Sequence, residues 1–359
     1  MPDVSAERPA GAAPTTATSL AAYTTLRLGG PAAQVLIVTD TDEIIQSVRA
    51  SAATGEPSLV LGGGSNVVVA DEGFPGTVII IRTSGLWVVD TDDDTVTVRV
   101  DAGVPWDEVV ATAVAEGWSG VECLSGIPGS AGATPIQNVG AYGQEVAETI
   151  TAVRVLDRAT DEVRTMTPDE CAFSYRMSMF KQYDRWVVLS TDFRLWRSTH
   201  SAPVRYQELA RVLDVPIGGH APLAAVREAV LGLRRGKGMV LDASDHDTWS
   251  AGSFFLNPVL ATTEWEELRA RLTDAPPCWP AGDGRVKTSA AWLIERAGYG
   301  KGYSGRGVAV SAKHSLALTN RGDGTTTALL ALAREIRDGV HHRFGVTLQP
   351  EATLIGCEL

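Results

Sequence analysis

The chain has 359 residues with a formal net charge of −12, enough length for two or three hydrophobic cores. Hydrophobic residues make up 44% and charged residues 21%, which excludes wholesale disorder, and the acidic surplus excludes nucleic acid, whose phosphates reward a broad basic surface. No apolar run reaches membrane-span length, and Cys123, Cys171, Cys278 and Cys357 stand too far apart for a clustered metal site or a secreted disulfide framework.

Residues 1–19 are rich in Ala, Pro and Thr without an apolar stretch, and read as a flexible tail and not a signal peptide. Strands are predicted at 35–38, 58–61 and 77–82, with helical spacing over 42–51 between the first two. In 95–100, Val96, Val98 and Val100 alternate with polar residues as in a half-buried strand. Residues 107–117 place Val109, Val110, Ala113 and Val114 on one helical face, with Gly117 as a C-cap. A Gly/Pro/Ser-rich loop follows over 120–143, and strands return at 151–157 and 186–196. An amphipathic helix is predicted over 222–235, and the polar stretch 242–250 marks a boundary. Ser289 caps a helix carrying Ala290, Leu293, Ile294 and Ala297 that ends at Gly298. The last helix, 326–343, carries Leu329, Leu332, Ile336 and Val340, with His341 and His342 exposed.

Two loops stand out chemically. The first, Gly62, Gly63, Gly64, Ser65 and Asn66, leaves a buried strand. Consecutive glycine amides can cradle phosphate oxygens, and a tight turn is the competing reading. The run has neither P-loop nor G-x-G-x-x-G spacing, and the segment from Gly232 to Gly238 misses the P-loop pattern by one residue and a hydroxyl. The second loop, 120–143, holds six glycines, two prolines and almost no charge. Such an extended backbone suits a ligand with a pyrophosphate and a flat heterocycle.

In this order, the two loops resemble the FAD-binding loops of the UDP-N-acetylenolpyruvoylglucosamine reductase family. The resemblance continues through 24–29 (TTLRLG), 173–178 (FSYRMS), 251–258 (AGSFFLNP), 287–294 (KTSAAWLI) and 349–356 (QPEATLIG). It covers the chain from about residue 20 onward. The segment 201–209 resembles the subtype that closes a tyrosine-bearing loop over its substrate, and 245–250 is similar to actinobacterial members.

The resemblance implies an α+β chain: a two-part FAD-binding fold of the vanillyl-alcohol-oxidase (PCMH) type plus a C-terminal α/β substrate-binding domain. The expected divisions are a tail 1–19, FAD-binding subdomains 20–85 and 86–240, and a substrate domain 241–359. FAD is expected to be non-covalent, because the first loop offers no His or Cys for a link of the kind oxidases on this fold use. Its implied contacts are the first loop together with Gly126, Ile127, Pro128, Gly129, Gly132, Ala133, Gln137, Asn138, Gly140, Ala141 and Tyr142. NADPH is the implied hydride donor and a UDP-linked enolpyruvyl amino sugar the implied substrate. A cytoplasmic monomer without metal, nucleic acid or membrane partner is expected.

The same resemblance implies three catalytic residues. Arg176 would bind the substrate carboxylate as negative charge grows on it, and Glu351 would face the same carboxylate in protonated form. Ser253 would donate the proton, although by itself it reads as a turn serine. Tyr175, Tyr206, Lys237, Asn257 and His314 are the implied substrate contacts, with Lys237 and Asn257 on the phosphate side. Lys287 and Lys313 read as solvated surface charges, and the sequence 321–323 (RGD) reads as a turn.

Overall fold

The computed structural model describes residues 18–181 and 184–359; most of the tail expected over 1–19 lies outside these residues. A short strand β1 (Thr18–Ser19) precedes β2 (Pro31–Val38), α1 (Thr41–Thr54), β3 (Ser58–Leu61), β4 (Val67–Val69) and β5 (Phe74–Ile81). The first sheet runs β1-β2-β5-β3, with β2, β5 and β3 parallel. Asp40 caps α1 by accepting from the amides of Asp42 and Glu43, and Gly55 ends it at φ 69°, as a left-handed C-cap requires. Ile44, Ile45 and Val48 of α1 bury with Ile79 and Ile81 of β5.

The second sheet is antiparallel. Its strands are β6 (Leu86–Thr91), β7 (Thr95–Asp101), β8 (Trp118–Ser119), β11 (Ile150–Asp157), β12 (Glu162–Met166) and β13 (Trp186–Arg197), in the order β12-β11-β13-β7-β6 with β8 also on β13. Between them lie α2 (Trp106–Ala115), the small hairpin β9 (Gly140–Ala141) and β10 (Gln144–Glu145), and α3 (Pro168–Cys171). Gly117 takes the left-handed turn just beyond α2, at φ 71°. Leu156, Val187 and Leu189 of this sheet join the α1 cluster, so one apolar layer ties the two sheets together.

After β13 come α4 (Gln207–Leu213) and α5 (Leu223–Gly236). The last part holds β14 (Val259–Leu260), α6 (Thr262–Ala270), β15 (Cys278–Pro280), β16 (Val286–Thr288), α7 (Ala290–Arg296), β17 (Val308–Val310), β18 (Leu318–Asn320), α8 (Thr326–Phe344) and β19 (Thr353–Ile355). Ser289 caps α7 by accepting from the Trp292 amide. Leu329, Leu332, Ile336 and Val340 of α8 are buried in the largest core, which also takes in Leu26, Leu28 and Val68 from the N-terminal part. The last part of the chain returns to the first sheet's neighbourhood: β19 pairs in parallel with β4, Thr353 opposite Val67. No helix among the described residues is long and apolar enough to cross a membrane.

Asp71, just after β4, reinforces that junction. It accepts from the amides of Thr326 and Thr327, at 2.7 and 2.8 Å, at the start of α8. Burial alone would raise its pKa, but the hydrogen bonds from Thr327 and Thr326 outweigh it and hold the carboxyl below the usual range. The contribution of Asp71 is therefore present above the ordinary carboxylate pKa and lost as pH falls through the lowered one. Asp71→Ala is expected to reduce stability by about 1–2 kcal/mol at neutral pH, with the difference shrinking in acid; denaturant unfolding at two pH values measures both.

Candidate active site

The first glycine loop leaves β3 and packs directly on the second. A Cβ added to Gly63 would lie 2.5 Å from the Gly129 Cα, and one on Gly64, at φ 60°, would strike the Tyr23 carbonyl. No side chain fits at either position, so the glycines bring two backbones together as well as exposing amides. The amides of Gly62, Gly63, Gly64, Ser65, Gly129 and Ser130 have no hydrogen-bond acceptor among the described residues. They border a cleft of about 310 Å³ lined by both loops. The Asn66 amide group donates to Gln137 Oε1 and so clips one loop to the other.

The residues expected to bind FAD divide by position. Gly62 to Asn66, Ile127, Pro128, Gly129, Ala133, Gln137 and Gly140 line the cleft. Gly126, Gly132, Asn138, Ala141 and Tyr142 are not among its lining residues. Gly132 donates its amide to the Ala102 carbonyl at 3.0 Å and packs against β7's end. Asn138 is buried at φ 46°, donating to Glu145 Oε2 and the Ser174 carbonyl and accepting from the Ala147 amide. Its side chain pins the loop in place.

Arg176, Ser253 and Glu351 all line this cleft, together with Tyr175 and Asn257. Arg176 sits at φ 53°, a conformation unfavourable for a side-chain-bearing residue and typical of functional positions. Its guanidinium donates to the carbonyls of Asn138 and Gly140, and its Nε lies 3.5 Å from Glu351 Oε1. The second loop thus aims Arg176 at Glu351. Glu351 is brought in by the chain's return: Phe255 bridges to Pro350, and the Glu351 amide donates to the Phe254 carbonyl at 2.8 Å. That pairing sets the segment bearing Ser253 beside the one bearing Glu351.

Burial pushes the Glu351 carboxyl up, and the cations of Arg176 and Lys181 only partly offset it. Lys181 carries no signal of function in the sequence. Its ammonium donates to the carbonyls of Arg176 at 3.2 Å and Glu351 at 3.0 Å, clamping the two backbones that carry the pair. Its position five residues beyond Arg176 gave no periodic or motif signal. Lys287, expected on the surface, lies 4.4 Å from the Tyr175 ring centroid, and burial lowers its pKa, with Arg176 adding to the effect.

The remaining predicted contacts gather beside α5. Tyr206 is 43% exposed and meets Tyr142 edge-on at 5.3 Å. Lys237 pairs with Glu208 at 2.5 Å and lies 5.5 Å from the Tyr142 ring centroid. His314 is held near a pKa of about 4 by burial and by the cations of Lys237 and Lys301, so it is neutral at physiological pH. Asn257 reaches the cleft, but its Oδ1 already accepts from the Ala290 amide at the start of α7. Lys313 pairs with Asp245.

Comparison with known proteins gives the family and the fold. The profile of the UDP-N-acetylenolpyruvoylglucosamine reductase C-terminal domain matches residues 244–355, and that of an FAD binding domain matches residues 32–167. The UDP-N-acetylenolpyruvoylglucosamine reductase of Salinispora arenicola is 61% identical over 345 residues, 95% of either chain. That of Thermobifida fusca is 58% identical over 346 residues, 95% of this chain and 97% of its own. The crystal structure of UDP-N-acetylenolpyruvylglucosamine reductase from Thermus caldophilus matches at TM-score 0.63 and 24% identity, over 94% of this chain and 97% of that one, and so shares the fold. The α+β architecture is the two-part FAD-binding fold with an added C-terminal domain. Two glycine loops facing one cleft, an Arg–Glu pair within it and this degree of identity over nearly the whole length lead to one assignment: the chain belongs to the UDP-N-acetylenolpyruvoylglucosamine reductase family.

Proposed function

We propose that the chain reduces the enolpyruvyl group of UDP-N-acetyl-3-O-(1-carboxyvinyl)-glucosamine to the lactyl ether of UDP-N-acetylmuramate, a step of peptidoglycan precursor synthesis. The observation that carries this reading is the meeting of Arg176, Glu351 and Ser253 in the cleft walled by the two glycine loops. Residues 20–85 and 86–240 then form the FAD-binding part, and 241–359 contributes Ser253 and Glu351. A cytoplasmic monomer is the setting we propose.

The free amides of the two loops fit a pyrophosphate-bearing cofactor held without a covalent link. FAD, when bound there, supplies the hydride that NADPH has given it. The chain's own residues have three tasks. Arg176 offers a planar fork to the substrate carboxylate, whose negative charge grows as hydride reaches C3. Glu351, its pKa raised by burial, would donate a hydrogen bond to the same carboxylate in its protonated form. Ser253 delivers the proton to C2, and its hydroxyl makes no hydrogen bond to another side chain among the described residues that would tie it down. Lys237 with Tyr206 and Asn257 would receive the UDP diphosphate.

The full cycle tests this reading directly. Purified protein is expected to be yellow, to bleach with NADPH under anaerobic conditions, and to recover its colour when the enolpyruvyl sugar nucleotide is added; failure of that sugar to restore the colour rejects the assignment. Arg176→Ala and Glu351→Gln are expected to keep FAD and its bleaching by NADPH, while recolouring by the sugar slows about 10²- to 10³-fold in stopped-flow absorbance.

The pH dependence follows from Glu351. Its protonated form persists below the raised pKa and is lost as pH rises through it, so kcat is expected to fall on the alkaline side. Lys181 holds that pKa down. Lys181→Met is therefore expected to move the alkaline limb to higher pH, besides lowering kcat through the looser Arg176–Glu351 alignment. An unmoved limb in the kcat–pH profile would leave Lys181 a purely structural clamp.

A further inference from the structure

Glu122 is fully buried at the start of the second glycine loop, and no step of the proposed reaction uses it. Its Oε2 accepts from the Gly120 amide at 2.6 Å. Its Oε1 accepts from the Gln144 side-chain amide at 3.0 Å, the Ala202 amide at 2.9 Å and, more distantly, the Ser119 hydroxyl at 3.4 Å. Each partner is a neutral donor, and the carboxyl acts only as acceptor. Enclosing a carboxyl is unfavourable unless such bonds satisfy it, so the donors are held to one geometry around it.

Those donors come from three places. Ser119 and Gly120 lead into the loop. Gln144 follows Gly143, where the loop ends, and its Oε1 accepts from the Cys123 amide at 2.8 Å. Glu122 and Gln144 therefore close the loop at its base. Ala202 begins the segment that leads to Tyr206, the N-cap of α4. That segment then runs along the far end of the loop. Val204 is buried with Cys123, and Tyr142 packs against the same cluster. A Cβ added to Gly143 would lie 2.9 Å from the Arg205 Cβ. Arg205 pairs with Glu148, and Tyr206 ends edge-on against Tyr142. One buried carboxyl thus joins the base of the cofactor-side loop to the segment that carries Tyr206.

Tyr206 has a half-exposed ring, so its place is set mainly by where its backbone is anchored. A misplacement of about 1 Å is enough to lose a hydrogen bond to a ligand oxygen. We propose that Glu122 is a positioning residue for the sugar-nucleotide side of the cleft: its carboxyl sets the Tyr206 segment in register with the second glycine loop, and it touches neither ligand. The inference rests on the reading of Tyr206 as a contact of the UDP diphosphate.

The test is a double-mutant cycle on the full-length, FAD-loaded protein. Glu122→Gln keeps the shape but turns one acceptor into an amide group that faces donors. UDP is titrated into the parent, Glu122→Gln, Tyr206→Ala and the double variant, and binding is followed by the visible difference spectrum of the flavin. Glu122→Gln is expected to weaken UDP binding by about tenfold. The double variant is expected to bind no more weakly than Tyr206→Ala alone, because a misplaced tyrosine and an absent one lose the same contact. A general loosening of the loop would instead multiply the two losses. Parental affinity in Glu122→Gln, or losses that multiply, overturns the proposal. If Glu122→Gln fails to fold by circular dichroism or to hold FAD, Gln144→Met, which removes one donor from the same carboxyl, takes its place in the cycle with the same outcomes. Parental UDP affinity in Tyr206→Ala would reject the reading of Tyr206 and the proposal with it, a result distinct from parental affinity in Glu122→Gln alone.

Discussion

The parallel pairing of β19 with β4 determines where Glu351 sits. β4 begins directly after the first glycine loop, and the Thr353 amide donates to the Asn66 carbonyl at 3.0 Å. Glu351 lies two residues before Thr353, so the strand that closes the fold delivers a carboxyl to the edge of the cofactor cleft. The Phe255–Pro350 bridge does the same for the segment carrying Ser253. Arg176 is aimed at the same point by the carbonyls of Asn138 and Gly140. Three segments far apart in sequence meet because backbone pairing brings in the Ser253 and Glu351 segments and side chain-to-carbonyl bonds of Arg176 and Lys181 tie the third to them.

Electrostatics then sets what the meeting residues can do. At 3.5 Å, Arg176 favours an ionised Glu351, as does Lys181, while enclosure favours the neutral acid. Enclosure prevails, and the carboxyl's pKa is raised. The whole chain is acidic, yet Arg176, Lys181, Lys287 and Arg234 all lie at or beside the cleft. Cations therefore gather at one cleft inside a chain whose net charge is −12.

Much of the fold was legible in the sequence. β3 lies at its expected residues, α1 extends its expected span by one residue at the start and three at the end, α5 is shifted by one residue, α8 runs one residue further, and Ser289 caps α7 as expected. The strands that escaped notice had physical reasons to do so. β6 is an edge strand with Trp87, Val88 and Val89 all exposed, and four of the five residues of β12 are exposed, so neither shows the alternation of a half-buried strand. The short strands of the last part, three residues or fewer, are too brief for any period to appear.

The site was legible only where glycine and motif spacing marked it. Gly62 to Asn66 and Gly129 line the cleft, whereas Gly132 and Asn138 hold the loop to its own surroundings. Lys181 left no trace because it acts through tertiary placement, by way of two backbone carbonyls. Lys287 looked like a surface charge for the same reason, since its neighbour Tyr175 is distant in sequence.

The proposed role of Ser253 requires that one proton reach C2 from a fixed direction. Turnover of the enolpyruvyl sugar nucleotide in D2O, with the product examined by NMR, tests it most directly. The account predicts deuterium at C2 in a single configuration; a mixture of configurations at C2 would contradict it, because the proton would then come from solvent and not from a positioned acid.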